Sequence, residues 1–113
     1  MDYSKLKKRW QKESEESHLL SKELRQKILI HGKKIFLDYN IQRVVLFGSV
    51  AQNRANAKSD IDLVVFGLAK NKYWHFKQDI EEATGRIVDV YTDQDDKVFV
   101  EKQLARGEIV YDA

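Results

Sequence analysis

The chain has no cysteine and no proline, and only five of its 113 residues are glycine. Without cysteine there is no disulfide framework, no thiolate zinc cluster and no cysteine nucleophile. A metal would therefore have to be held by oxygen or by one of three histidines. The missing proline and scarce glycine leave little room for a flexible linker, a collagen-like segment or a proline-rich ligand. Long apolar runs are missing too. With 42% hydrophobic and 34% charged residues, the composition is that of neither a membrane span nor a disordered tail. The first residues lack the apolar core of a secretory signal, which gives the expectation of a cytoplasmic protein with no membrane role. The length suits one small domain.

Nor does one sign of charge dominate. The formal net charge is +2, but residues 1–40 hold ten basic and six acidic residues, whereas residues 41–113 hold ten and twelve. The basic excess sits in the first third, interleaved with acids as on a solvated helix, and so does not point to nucleic-acid binding. His18, His31 and His75 are isolated and show no ligand spacing.

What is present is a regular alternation of elements. Residues 3–39 read as helical, with Leu20, Leu24 and Ile28 recurring every fourth position and Ile35, Phe36 and Tyr39 extending the apolar face. The polar stretch Lys12–Ser17 is either a break between two helices or a solvated middle turn. Asn40 suits a helix end. Val44–Phe47 and Ile61–Phe66 read as buried strands, separated by a loop or short helix over residues 50–59. A helix is expected over Lys70–Thr84 with Gly85 after it, then a strand Ile87–Tyr91. Asp93 is expected to cap a last helix reaching Ala105, followed by a strand Ile109–Tyr111. The order α-β-β-α-β-α-β describes an α/β (α+β) domain, a small mixed sheet of about four strands packed with helices. Trp10, Trp74 and Phe76 read as packing residues.

The informative segment is Gly48-Ser49, ten residues, then Asp60-Ile61-Asp62. In a strand, Asp60 and Asp62 share a face, roughly 6–7 Å apart. At an effective dielectric of about 20 they repel by about 2–3 kcal/mol, a cost that a bound divalent cation would reverse. Oxygen ligands without sulfur favour magnesium or manganese. Asp89 is a third acid, mid-strand where acids are unexpected, and joins the same patch if its strand pairs beside Ile61–Phe66. Three converging carboxylates suit a two-metal centre for phosphoryl or nucleotidyl transfer. Gly48 at a strand end permits close approach of a phosphate, and the Ser49 hydroxyl with the following amides can donate to it.

On these residues the chain resembles the minimal nucleotidyltransferases of the DNA polymerase β-like superfamily. The stretch Val45-Leu46-Phe47-Gly48-Ser49 … Ser59-Asp60-Ile61-Asp62-Leu63-Val64-Val65 carries the signature, and the ending Leu104–Tyr111 is similar to theirs. The resemblance covers residues 22–113 and leaves residues 1–21 as an N-terminal helical extension. It implies the polymerase-β-like nucleotidyltransferase fold, with Asp60, Asp62 and Asp89 as metal-binding and catalytic residues. Gly48 and Ser49 would hold the β- and γ-phosphates of a nucleoside triphosphate, ATP in the first instance, with two magnesium ions, or manganese, at the acids. Many members have Arg-Gly after Gly-Ser-x-Ala, where this chain has Gln52-Asn53, and Arg54 stands in as the phosphate contact. The family is similar to the antitoxin half of modules whose other half is a helical HEPN-type protein, and some members transfer AMP to a tyrosine of that toxin. The alternatives are transfer to a small molecule such as an aminoglycoside, or a non-catalytic partner-binding module. The sequence shows no obvious second domain to close over the base or present an acceptor, and a partner or a second copy is expected to supply that wall.

Overall fold

The structure, a computed structural model, describes residues 4–113. Residues 1–3, which the expected first helix and extension include, lie outside the described residues. Helix α1 runs unbroken from Ser4 to Asp38, so Lys12–Ser17 is a solvated stretch of helix and no break. Ion pairs one turn apart, such as Arg9 with Glu13 at 3.1 Å, suit such an exposed segment. The buried positions begin only at Ser21 and continue through Leu24, Ile28, Gly32 and Phe36, one stripe down the second half. At about 1.5 Å per residue the helix is about 52 Å long, and it sets the 59 Å longest dimension of the molecule. It ends where Asn40 turns left-handed (φ 56°). Ile41 N–H donates to Phe36 O and Asn40 N–H to Leu37 O, a Schellman closure with asparagine in the usual glycine place.

Four strands follow: β1 (Arg43–Phe47), β2 (Ile61–Phe66), β3 (Val88–Thr92) and β4 (Glu108–Asp112). Their order across the sheet is β3-β2-β1-β4. β1 runs antiparallel to both β2 and β4, and β2 runs parallel to β3. The parallel pair is joined by helix α3 (Tyr73–Thr84), entered through a 3₁₀ turn over Lys70–Lys72. A four-residue helix, α2 (Gly48–Ala51), follows β1, and α4 (Lys97–Arg106) precedes β4.

Alternation along the strands gives the sheet two unlike faces. Val44, Leu46, Ile61, Leu63, Val65, Val88 and Val90 point to α1 and α3 and form one core with Leu24, Ile28, Phe36, Phe76 and Ile80. The opposite face holds a much smaller cluster of Val45, Val64 and Val100 under α4, edged by Phe47, Phe66 and Phe99.

Three expectations need correction. The cap of α4 is Asp96, which accepts from Phe99 N–H at 3.1 Å. Asp93 lies in a turn closed by Thr92 and Asp95 and accepts from Gly67 N–H instead. Trp10 and Trp74 are 65% and 74% exposed and do not pack in the core, whereas Phe76 does. Among the described residues no helix is long and apolar enough to cross a membrane.

Candidate active site

The parallel register sets Asp62 of β2 directly opposite Asp89 of β3. Phe47 of β1 stands opposite Asp62, so Phe47, Asp62 and Asp89 form one row across three strands on the sparsely covered face. Partial burial, then the charge and hydrogen bond of Asp89, then the charge of Asp60, push the Asp62 carboxyl up to about 6. Asp60 stands just before β2, which begins at Ile61, and it is exposed. The fold therefore joins Asp62 to Asp89, while Asp60 acts on Asp62 from the adjoining loop.

Among the described residues, no basic side chain or backbone amide donates a hydrogen bond to Asp60, Asp62 or Asp89, and none of the three forms an ion pair. Nor is any group of three acids or histidines gathered so that it could hold a metal ion. The facing pair nonetheless fits a hard cation, because magnesium is often held by one or two carboxylates together with substrate phosphates.

The strand carrying Asp89 is an edge strand, and α3 pins its outer backbone. Lys77 Nζ donates to Val88 O at 2.7 Å, Val88 N–H donates to Glu81 Oε2 at 3.0 Å, and Tyr73 OH donates to Val90 O at 2.6 Å. Bonds on both sides of Asp89 fix its place opposite Asp62. The Val88 amide, more than the neighbouring Lys77, holds the Glu81 carboxyl below its usual range.

Gly48 stands against the same acids. Its φ of +77° is in the left-handed region, and a Cβ there would overlap Asp62 Oδ2. Only glycine lets the end of β1 turn into α2 directly beside that carboxylate. Phe47, at the N-cap of α2, offers no side-chain acceptor to the amides that open the helix. The Ser49 hydroxyl and the exposed Arg54 guanidinium have no hydrogen-bond partner among the described residues, while Arg54 N–H donates to Ser49 O at 2.8 Å and closes the turn.

Sequence reasoning missed the residue that braces this turn. Arg25 reaches from α1, its Nη2 donating to Val50 O, Ala51 O and Asn53 Oδ1 at 3.3–3.4 Å while its Nε bonds Glu108 at 2.6 Å. These partners lie 25 to 83 positions away, so no local pattern announces them. Asn53 is left-handed (φ 59°), the conformation that glycine enters freely and asparagine more readily than most residues. The Gln52-Asn53 departure thus keeps the turn. An aromatic wall of Phe47, Tyr91 and Phe99, with ring centroids 4.9–5.6 Å apart, completes the surroundings.

The family model for polymerase beta nucleotidyltransferases matches residues 32–113. The chain belongs to that family. As a nucleotidyltransferase it is 37% identical over 73 residues to a Methanocaldococcus jannaschii protein named as an inferred protein adenylyltransferase, covering 62% of this chain and 74% of the relative. Its fold is similar to a chain of a toxin–antitoxin complex solved with AMP-PNP, with a TM-score of 0.64, 24% identity and coverage of 79% and 73% of the two chains. A second fold likeness is to a complex of tri-AMPylated Shewanella oneidensis HEPN toxin with MNT antitoxin, with a TM-score of 0.56, 21% identity and coverage of 82% and 73%.

Proposed function

We propose that this nucleotidyltransferase moves AMP from ATP onto a tyrosine hydroxyl of a helical HEPN-type partner and so acts as the antitoxin of a two-protein module. The observation that carries the reading is the in-register Asp62–Asp89 pair lying against the left-handed Gly48 turn. The adenylyltransferase name of the archaeal relative and the toxin–antitoxin complexes among the fold neighbours support the acceptor class.

Asp62 and Asp89, with Asp60 beside them in the chain, would hold divalent cations, magnesium before manganese, which when bound supply neutralisation of the triphosphate charge. The Gly48 turn, the Ser49 hydroxyl and Arg54 hold the β- and γ-phosphates, as free donors at a helix start do. The acceptor oxygen attacks the α-phosphorus in line, the bond to the α–β bridging oxygen breaks, and pyrophosphate leaves with that electron pair. Asp89 accepts the hydroxyl proton. The partner seats its tyrosine over the sparsely covered face beside Tyr91 and excludes water there.

Incubation with magnesium, ATP labelled at the α-phosphate and the protein encoded next to this chain, as the candidate partner, tests the proposal. Label is expected on the partner and is expected to vanish with Asp62→Asn or Asp89→Asn. Tight partner binding with no label from any nucleotide would instead mark a binding module, and label only on an added aminoglycoside a small-molecule enzyme.

A further inference from the structure

A cavity of about 280 Å³ lies between α2 and α4, walled by Gly48 and Gln52 on one side and by Lys102 and Arg106 on the other. The reading above uses the Gly48 wall and leaves the α4 wall without a role. Lys102 and Arg106 are four apart on a helix and so share a face. Both are exposed, and neither forms an ion pair or a side-chain hydrogen bond among the described residues. The acids nearest them along the chain are engaged elsewhere, Glu101 with Lys97 at 4.0 Å and Glu108 with Arg25 at 2.6 Å. Attraction to the end of α4 accounts for a cation at Arg106, in the last turn, but not for a second one beside it, because like charges at this spacing repel. An anion in the cavity turns that repulsion into attraction.

We infer that this cavity receives the terminal phosphates of a nucleoside triphosphate, with Lys102 and Arg106 as further contacts, opposite the Gly48 turn, that favour a triphosphate over a monophosphate. The inference rests on the reading of the neighbouring acids as a nucleotide site. Phosphates held at Gly48 are already at the mouth of the cavity, since Gly48 forms part of its wall. Arg106 offers a planar fork and Lys102 a point charge, the two usual ways of holding phosphate. When the bond between the α-phosphorus and the bridging oxygen breaks, the added negative charge falls on the departing pyrophosphate, next to these cations.

Calorimetry of the full chain with magnesium tests this, using two probes: AMP, and an ATP analogue with a methylene between the α- and β-phosphorus. Lys102→Ala and Arg106→Ala are each expected to weaken the analogue about tenfold, the loss of one charged hydrogen bond, and to leave AMP binding unchanged. Arg106→Lys should retain most of the affinity. Lys97→Ala, on the same helix but outside the cavity wall, should have no effect. Thermal melts check folding, and Lys102→Gln and Arg106→Gln replace any alanine variant that fails to fold. Unchanged analogue binding in the variants, or an equal loss for AMP, overturns the inference while leaving the nucleotide reading intact. If the wild-type chain binds neither probe, both readings fall.

Discussion

The sheet has one face that is closely packed and one that is sparsely covered. Toward α1 and α3, Val44, Leu46, Ile61, Leu63 and Val65 are completely or almost completely buried, and they meet Phe36 and Phe76, whose rings lie 6.1 Å apart. Pointing the other way from the same sheet are Phe47, Asp62 and Asp89, and on that side α4 covers Val45 and Val64 and reaches Phe47 and Tyr91 through its Phe99 ring. Sequence separation is one residue, yet the physical demands are opposite. The packed face lowers the free energy by removing apolar area from water. The open face holds two facing carboxylates to which, among the described residues, no basic side chain or backbone amide donates, and it is less stable for it. On the proposed reading, a divalent cation and a triphosphate would offset that loss.

The comparison can be broken most severely at Asp62. Asp62→Asn should abolish nucleotidyl transfer, by about a thousandfold or more, as loss of a charged group at a reacting phosphate does. The same change should raise stability by about 1–2 kcal/mol, a value discounted for solvent screening because the carboxyl is half exposed. Its pH signature sharpens the point. The Asp62 carboxyl is raised from 3.8 to about 6, so its share of stability is full below the lower value and lost as pH rises through about 6. Melts of the wild type should therefore fall across that window more than melts of Asp62→Asn.

Phe76→Ala, on the packed face, should show the reverse pattern. It should cost about 3–5 kcal/mol by opening a cavity in a fully buried site, read by denaturant unfolding. Gly48→Ala lies between the two. Its left-handed φ and its overlap with the Asp62 carboxylate predict a loss of about 1–3 kcal/mol together with weakened nucleotide binding. The smallest effect belongs to removal of residues 1–16. None of residues 4–16 is buried, so the melting temperature should change by about 2 °C or less. A larger drop would show that the exposed half of α1 supports the fold.

The two faces were not equally legible in the sequence. The β-branched runs at Val44 and Ile61 announce buried strands because apolar residues on consecutive positions have few other homes. Asp89 was legible as an acid where a strand has no use for one. The α1 helix was legible from Leu24 to Phe36, where burial imposes a period, and ambiguous over Lys12–Ser17, where ion pairs replace packing. Asp93 and Asp96 look alike to a capping argument, and only the intervening Thr92–Asp95 turn separates them. The braces that hold the site were invisible. Arg25, which reaches from α1 to α2, and Tyr73, Lys77 and Glu81 around Asp89 act through contacts that exist only once the chain has folded. The exposure of Trp10 and Trp74 was equally hidden, since size alone suggests burial.

The most direct test of the account is the intact mass of the helical partner after incubation with this chain, ATP and magnesium. The account predicts mass gains of whole AMP units with the wild type, and none with Asp62→Asn although that variant melts higher. An unmodified partner with a wild-type chain that binds both nucleotide and partner, or full modification by Asp62→Asn, would contradict it.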